Sequence, residues 1–92
     1  MNKLEEARLL LDDIDSQIIE LFEKRMSVVI EVIKYKIKNN IPVLDSSREV
    51  IMYDKNLKKI KNEQFKQYYK SVLDGFLKAS KDMQQDILDN EK

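Results

Sequence analysis

Arg25 and Lys36 lie eleven residues apart in a stretch free of Gly and Pro. On a helix, eleven steps of ~100° return to within about 20° of the starting direction, some 16 Å along the axis. Val29 and Val32 fall between them on that face. Two long cationic arms bracketing an apolar strip form a cradle for a small anionic ligand. The same two residues also suit a plainer role, each cation snorkelling to solvent from the edge of a packed face.

A second pair breaks another apolar stripe. Tyr69, Leu73 and Leu77 lead through Ser80 and Gln84 to Ile87 and Leu88, so two short polar groups occupy places where apolar ones are expected. At i, i+4 they share a face and can hydrogen-bond one object; a solvent-wetted helix end explains them as simply. Set opposite Arg25 and Lys36, they would complete a polar pocket in an apolar wall, the usual character of a ligand site. Arg8 precedes Arg25 by seventeen residues, roughly 25 Å along a helix, so within one chain the two cannot hold the same small molecule. Asp45, Arg48 and Glu49 cluster after Pro42. Capping accounts for Asp45 and Glu49, whereas Arg48 in a first helical turn opposes the macrodipole.

These residues need long helices to carry them. Leu4, Ala7, Leu11, Ile14, Ile18, Leu21, Val28 and Val32 recur in steps of three and four, predicting one helix from Leu4 to about Asn39 with Arg25 as the break in its seam. About 36 residues at ~1.5 Å each span roughly 54 Å. A compact chain of 92 residues has a radius of gyration of about 12 Å, so the helix overshoots its own domain and a second chain is the economical cover for the seam. The helix is expected to fray around Lys38-Asn39-Asn40. Past Pro42, a second helix is expected from a capping box of Ser46 and Glu49, with Asp45 as alternative cap, to near Lys61-Asn62. Asp54-Lys55-Asn56 is its weakest point. A third helix follows from Glu63, carrying Phe65, Tyr69, Val72, Leu73, Phe76, Leu77, Met83, Ile87 and Leu88. It is read as continuous through Gly75, whose missing side chain can let another helix approach closely. The fold class is all-α, three helices in a single domain over residues 1–92, assembled as a helical homodimer.

Composition narrows the chemistry. Lys+Arg and Asp+Glu both number 17, so no global field draws the chain to nucleic acid or an anionic membrane. With no Cys and no His, thiol nucleophiles, imidazole bases and nearly all zinc or haem sites fall away. No metal or cofactor is expected; chemistry must run on carboxylates, Lys, Arg and amides. The amino terminus enters charged helix directly and no apolar run is long enough to span a bilayer, which leads to the expectation of a cytoplasmic protein.

As a set, Arg8, Arg25, Lys36, Asp45, Arg48, Glu49, Ser80 and Gln84, with the Pro42-Val43 loop, resemble the all-helical (AroQ) chorismate mutases along nearly the whole chain. The resemblance implies an intertwined homodimer with two equivalent sites that rearrange chorismate to prephenate on the route to phenylalanine and tyrosine. It further implies that Arg25 and the partner chain's copy of Arg8 clamp the two substrate carboxylates, and that Lys36 and Gln84 donate to the ether oxygen. Glu49 would bind the ring hydroxyl with help from the Asp45 backbone, Ser80 would hold a carboxylate, and Arg48 would support the anionic side. The reaction is unimolecular and needs no nucleophile, base or cofactor, so the absence of Cys and His is no obstacle. With no dehydratase or dehydrogenase domain following, a bifunctional enzyme is not expected. Two other readings remain: an isochorismate pyruvate lyase of the same fold, and a non-enzymatic helical dimerisation or effector-binding module.

Overall fold

The structure is a computed structural model and describes residues 1–91. Helix α1 runs Lys3–Lys38, α2 Ser46–Leu57 and α3 Lys66–Asn90, with a single 3₁₀ turn at Glu63–Phe65 and no strand among the described residues. The chain is therefore all-α. Asn2 caps α1, its side chain accepting from the Glu5 amide at 2.8 Å, and Glu5 and Glu6 complement the positive end of the helix.

The far end of α1 stops cleanly rather than fraying. Asn40 takes the left-handed conformation (φ 57°), the Ile41 amide donates to the Lys36 carbonyl at 2.8 Å, and the Asn40 amide donates to the Ile37 carbonyl at 3.3 Å. These are the two bonds of a Schellman closure, in which a short polar residue supplies the left-handed turn. The closure reverses the chain directly after Lys36 and brings the Pro42-Val43 segment back over it.

Helix α2 begins one residue from the expected cap. Asp45, not Ser46, is the cap, its carboxylate accepting from the Arg48 amide at 3.0 Å; Ser46 is the first helical residue, so the Ser46–Glu49 capping box does not form. The helix runs through Asp54-Lys55-Asn56 but stops at Leu57, short of Lys61-Asn62. Its end tightens into bonds from the Lys59 amide to Asn56 and the Ile60 amide to Leu57, and the Asn62 side chain then caps the 3₁₀ turn through the Gln64 amide at 3.0 Å. That competing cap delays α3 from Glu63 to Lys66. Helix α3 is continuous through Gly75, but a side chain there would meet no atom within 4 Å. Within this chain the glycine serves no close helix approach, contrary to the expectation.

Both other helices pack on α3. Phe22, Arg25 and Lys36 meet Phe76, Ser80 and Gln84 in the same order, so α1 and α3 run in the same sense; Glu49 and Tyr53 of α2 meet Lys81 and Asp74 in reverse order. The packed face of α1 lies beside its seam. Ile33 is 1% exposed against Leu73 at 3% in the core of the fold. The seam residues Leu11, Ile18 and Leu21 stand open, and every residue from 1 to 21 is exposed. The radius of gyration is 16.7 Å and the longest extent 55 Å, against about 12 Å for a compact chain of this length.

Candidate active site

The site is built where the middle and end of α1 meet the middle and last third of α3. Lys36 Nζ donates to Gln84 Oε1 at 3.0 Å and to the Val43 carbonyl at 2.9 Å. The second bond exists because the Asn40 closure folds the loop back over the last turn of α1. Gln84, 6% exposed, is in turn oriented by donating Nε2 to the Ser80 carbonyl at 3.2 Å. An ammonium has three N–H donors and an amide two, so Lys36 and Gln84 each retain one N–H beyond these bonds. Two donors on adjacent groups are thus held at one place by an otherwise saturated frame.

Arg25 approaches the same stretch of α3. Its Nη1 donates to Ser80 Oγ at 2.5 Å, and its Nη2 reaches Met52 Sδ at 3.9 Å. Its guanidinium carbon lies 5.6 Å from the centre of the Phe76 ring, a cation–π contact that orients the planar group. Ser80 Oγ also donates to the Phe76 carbonyl at 2.8 Å, so its proton is already engaged and it acts here as acceptor and locator for Arg25. No buried side-chain nitrogen or oxygen among the described residues lacks a partner. Arg25 also forms the charged end of a cavity of about 520 Å³ with an apolar wall that includes Ile18, Phe22, Met52, Leu73 and Phe76.

Helix α2 places the remaining residues unequally. The Asp45 carboxylate is consumed in capping: the Arg48 amide, reinforced by Ser47 and the charge of Lys36, outweighs desolvation and holds this carboxyl below the ordinary aspartate range. Glu49 faces α3 and pairs with Lys81 at 3.1 Å. Arg48 is exposed at the start of α2, and Arg8 is exposed on the projecting part of α1, remote from the Arg25 cluster of its own chain. The structure thus joins Arg25, Lys36, Ser80 and Gln84 directly, brings Glu49 alongside through α2, and leaves Arg8 and Arg48 outside the contacts. Lys81 was not among the residues singled out from sequence; it lies on the flank of the α3 stripe, where a lysine reads as ordinary solvated surface. Tyr53 hydrogen-bonds Asp74, which is the main reason its phenol is pushed up to about 12.

A family model described as chorismate mutase type II matches residues 7–85. The chain belongs to the chorismate mutase type II family. Among curated proteins, it is 39% identical over 54 residues to a bifunctional chorismate mutase/prephenate dehydratase of Buchnera aphidicola subsp. Schizaphis graminum (strain Sg), a stretch that covers 59% of this chain and 14% of that protein. The chain therefore corresponds to a small part of that relative's length. No solved structure matches it significantly. The matched span of the chorismate mutase type II family contains Arg8 and every member of the polar cluster, from Arg25 to Gln84.

Proposed function

We propose that this chain rearranges chorismate to prephenate, as a homodimer whose two sites each draw on both chains. The observation that carries the reading is the pair of donors Lys36 and Gln84, the one half-buried and the other buried, hydrogen-bonded to one another and fixed by Val43 and Ser80. A [3,3] rearrangement breaks a carbon–oxygen bond while a carbon–carbon bond forms within one molecule, and negative charge grows on the ether oxygen. Two preorganised N–H donors aimed at that oxygen stabilise the transition state more than the ground state. Arg25, held flat by Phe76 and Ser80, supplies a fork for one substrate carboxylate. Binding both carboxylates and the ether oxygen enforces the folded geometry in which the reacting carbons meet. Ser80 supports a carboxylate through Arg25, Glu49 accepts from the ring hydroxyl beside the Asp45 backbone, and Arg48 supplies positive potential at the rim.

The dimer reading rests on the uncovered half of α1. A single chain with Ile33 and Leu73 as its buried apolar residues has little to offset chain entropy. A second α1 laid against the open seam covers it and fits the apolar wall below Arg25. In an antiparallel arrangement it also delivers the partner chain's copy of Arg8 towards the cluster, giving a second carboxylate its fork. A plain dimerisation module gains nothing from burying Ser80 and Gln84 beside two cations. No helix among the described residues is long and apolar enough to cross a membrane. The proposed reaction on a small metabolite needs no nucleic acid, and the cytoplasm is proposed as its place.

Loss of chorismate absorbance with purified protein tests the reading. Acceleration over the uncatalysed rate with prephenate as product is expected; no acceleration overturns it. Release of pyruvate from isochorismate, without chorismate turnover, would instead assign the lyase activity.

A further inference from the structure

The other ion pairs described join residues three or four apart in sequence, Lys34–Glu31, Lys58–Asp54, Lys66–Glu63 and Lys78–Asp82. Lys81–Glu49 spans α3 and α2, with Nζ 3.1 Å from Oε1. Lys81 follows Ser80 directly and precedes Gln84 by three residues, so the pair lies at the flank of the proposed site. Its side chains are 40% and 25% exposed, and ion pairs so wetted add little to stability. The α2–α3 contact already has a second tie at Tyr53–Asp74. A staple is therefore a weak account of Lys81.

The charge pattern offers a better one. A substrate with two carboxylates enters a site of cations, and Glu49 is the carboxylate that faces the site from α2. Unneutralised, it would repel such a substrate; its use is as an acceptor for a substrate hydroxyl, and only if its orientation is set. Lys81 contacts Oε1, leaving Oε2 to accept. We propose that Lys81 is a positioning residue: it neutralises Glu49, fixes its rotamer, and so makes the site selective for a dicarboxylate that carries a ring hydroxyl. Lys81 acts through Glu49 and touches no reacting atom. The inference rests on the mutase reading above and adds to it a residue and a specificity.

The experiment compares chorismate with its analogue lacking the ring hydroxyl, using the unaltered protein, Lys81→Met and Lys81→Arg. Melting by circular dichroism checks that all three fold, as the exposure of Lys81 leads one to expect. For Lys81→Met, kcat/KM on chorismate should fall by about 10-fold, mainly through KM, the size expected when a positioning contact is loosened. On the deoxy analogue, also a dicarboxylate, the fall should be clearly smaller, because only the repulsion from an unneutralised Glu49 remains and there is no hydroxyl for it to accept. Lys81→Arg should recover most of the loss on chorismate. An equal loss on both substrates makes Lys81 a general attractor of anions and overturns the assignment, as does no loss on either. Failure of the unaltered protein to turn over chorismate overturns the mutase reading and this inference with it, an outcome distinct from the other two.

Discussion

Lys36 and Gln84 meet across α1 and α3 with Nζ 3.0 Å from Oε1, and each is fixed by a backbone carbonyl of its own neighbourhood, Val43 for the lysine and Ser80 for the glutamine. The pair is a preassembled donor set, in which each partner determines where the other's remaining hydrogen points. Lys36→Ala removes one donor and frees the second to rotate. Loss of one preorganised donor of this kind costs about 10²–10³ in rate, and Lys36→Ala should lose at least that in kcat with a smaller change in KM. Steady-state kinetics on chorismate decide it. A loss confined to KM would mean that Lys36 binds substrate and transition state equally.

If Gln84 serves the ether oxygen as proposed, it does so through an amide proton that does not titrate, and its part in the activity needs no acid. Gln84→Glu replaces that amide with a group that donates only when protonated, and its carboxylate would pair with Lys36. Activity of Gln84→Glu should be low at neutral pH and rise as the medium is acidified, while the unaltered protein shows no such requirement. A pH–rate profile of the two proteins is the measurement; parallel profiles would remove Gln84 from contact with the ether oxygen.

How far the sequence led can be judged from particular residues. Arg25 was visible because it interrupts a seam of steps of three and four, and Ser80 and Gln84 because they interrupt the stripe of α3; a polar residue is conspicuous only against an apolar repeat. Lys81 had no such background, since a flank lysine looks alike whether it meets water or a glutamate on another helix. The ends of the helices were set by side-chain caps that compete over one or two positions: Asp45 displaced Ser46, and Asn62 shortened the approach to α3. Periodicity does not report such competitions. The closure at Asn40 was legible only as two asparagines before Pro42, yet it is what returns Val43 to Lys36.

That closure makes Asn40 a stability position next to the site. Its φ of 57° costs an ordinary L-residue roughly 1–2 kcal/mol. Asn40→Ala should therefore destabilise by about 1 kcal/mol, whereas Asn40→Gly should hold or raise the melting temperature. If loosening the turn also releases Val43 from Lys36, Asn40→Ala lowers kcat and Asn40→Gly does not. Thermal melts beside kinetics separate the two effects.

Asp45 gives the fold an acid-sensitive cap. Its carboxyl is held below the ordinary value of 3.8, first by the Arg48 amide, so the folded state favours the ionised form. The stability it contributes is complete above that value and lost as pH falls through the lowered one. Asp45→Asn can cap through its amide oxygen and has no proton to gain. Between about pH 5 and about pH 3, around the carboxylate range, the melting temperature of the unaltered protein should fall more than that of Asp45→Asn. Equal slopes would place the acid sensitivity in other carboxylates.

Arg8 lies on the projecting part of α1, and Arg25 is fixed by Ser80 and Phe76. If each site takes Arg25 from one chain and Arg8 from the other, Arg8→Ala and Arg25→Ala homodimers each lose a carboxylate fork at both sites and should be nearly inactive. A mixed dimer of the two variants concentrates both defects in one site and leaves the other whole. Random exchange of equal amounts makes half of the dimers mixed, so total activity should return to about one quarter of the unaltered level, as two-fold symmetry requires. The measurement is activity after subunit exchange, with exchange verified by native mass spectrometry of tagged chains. Recovery of nothing despite confirmed exchange would show that Arg8 serves its own chain or none, and the open seam of α1 would then have to be covered in a different register.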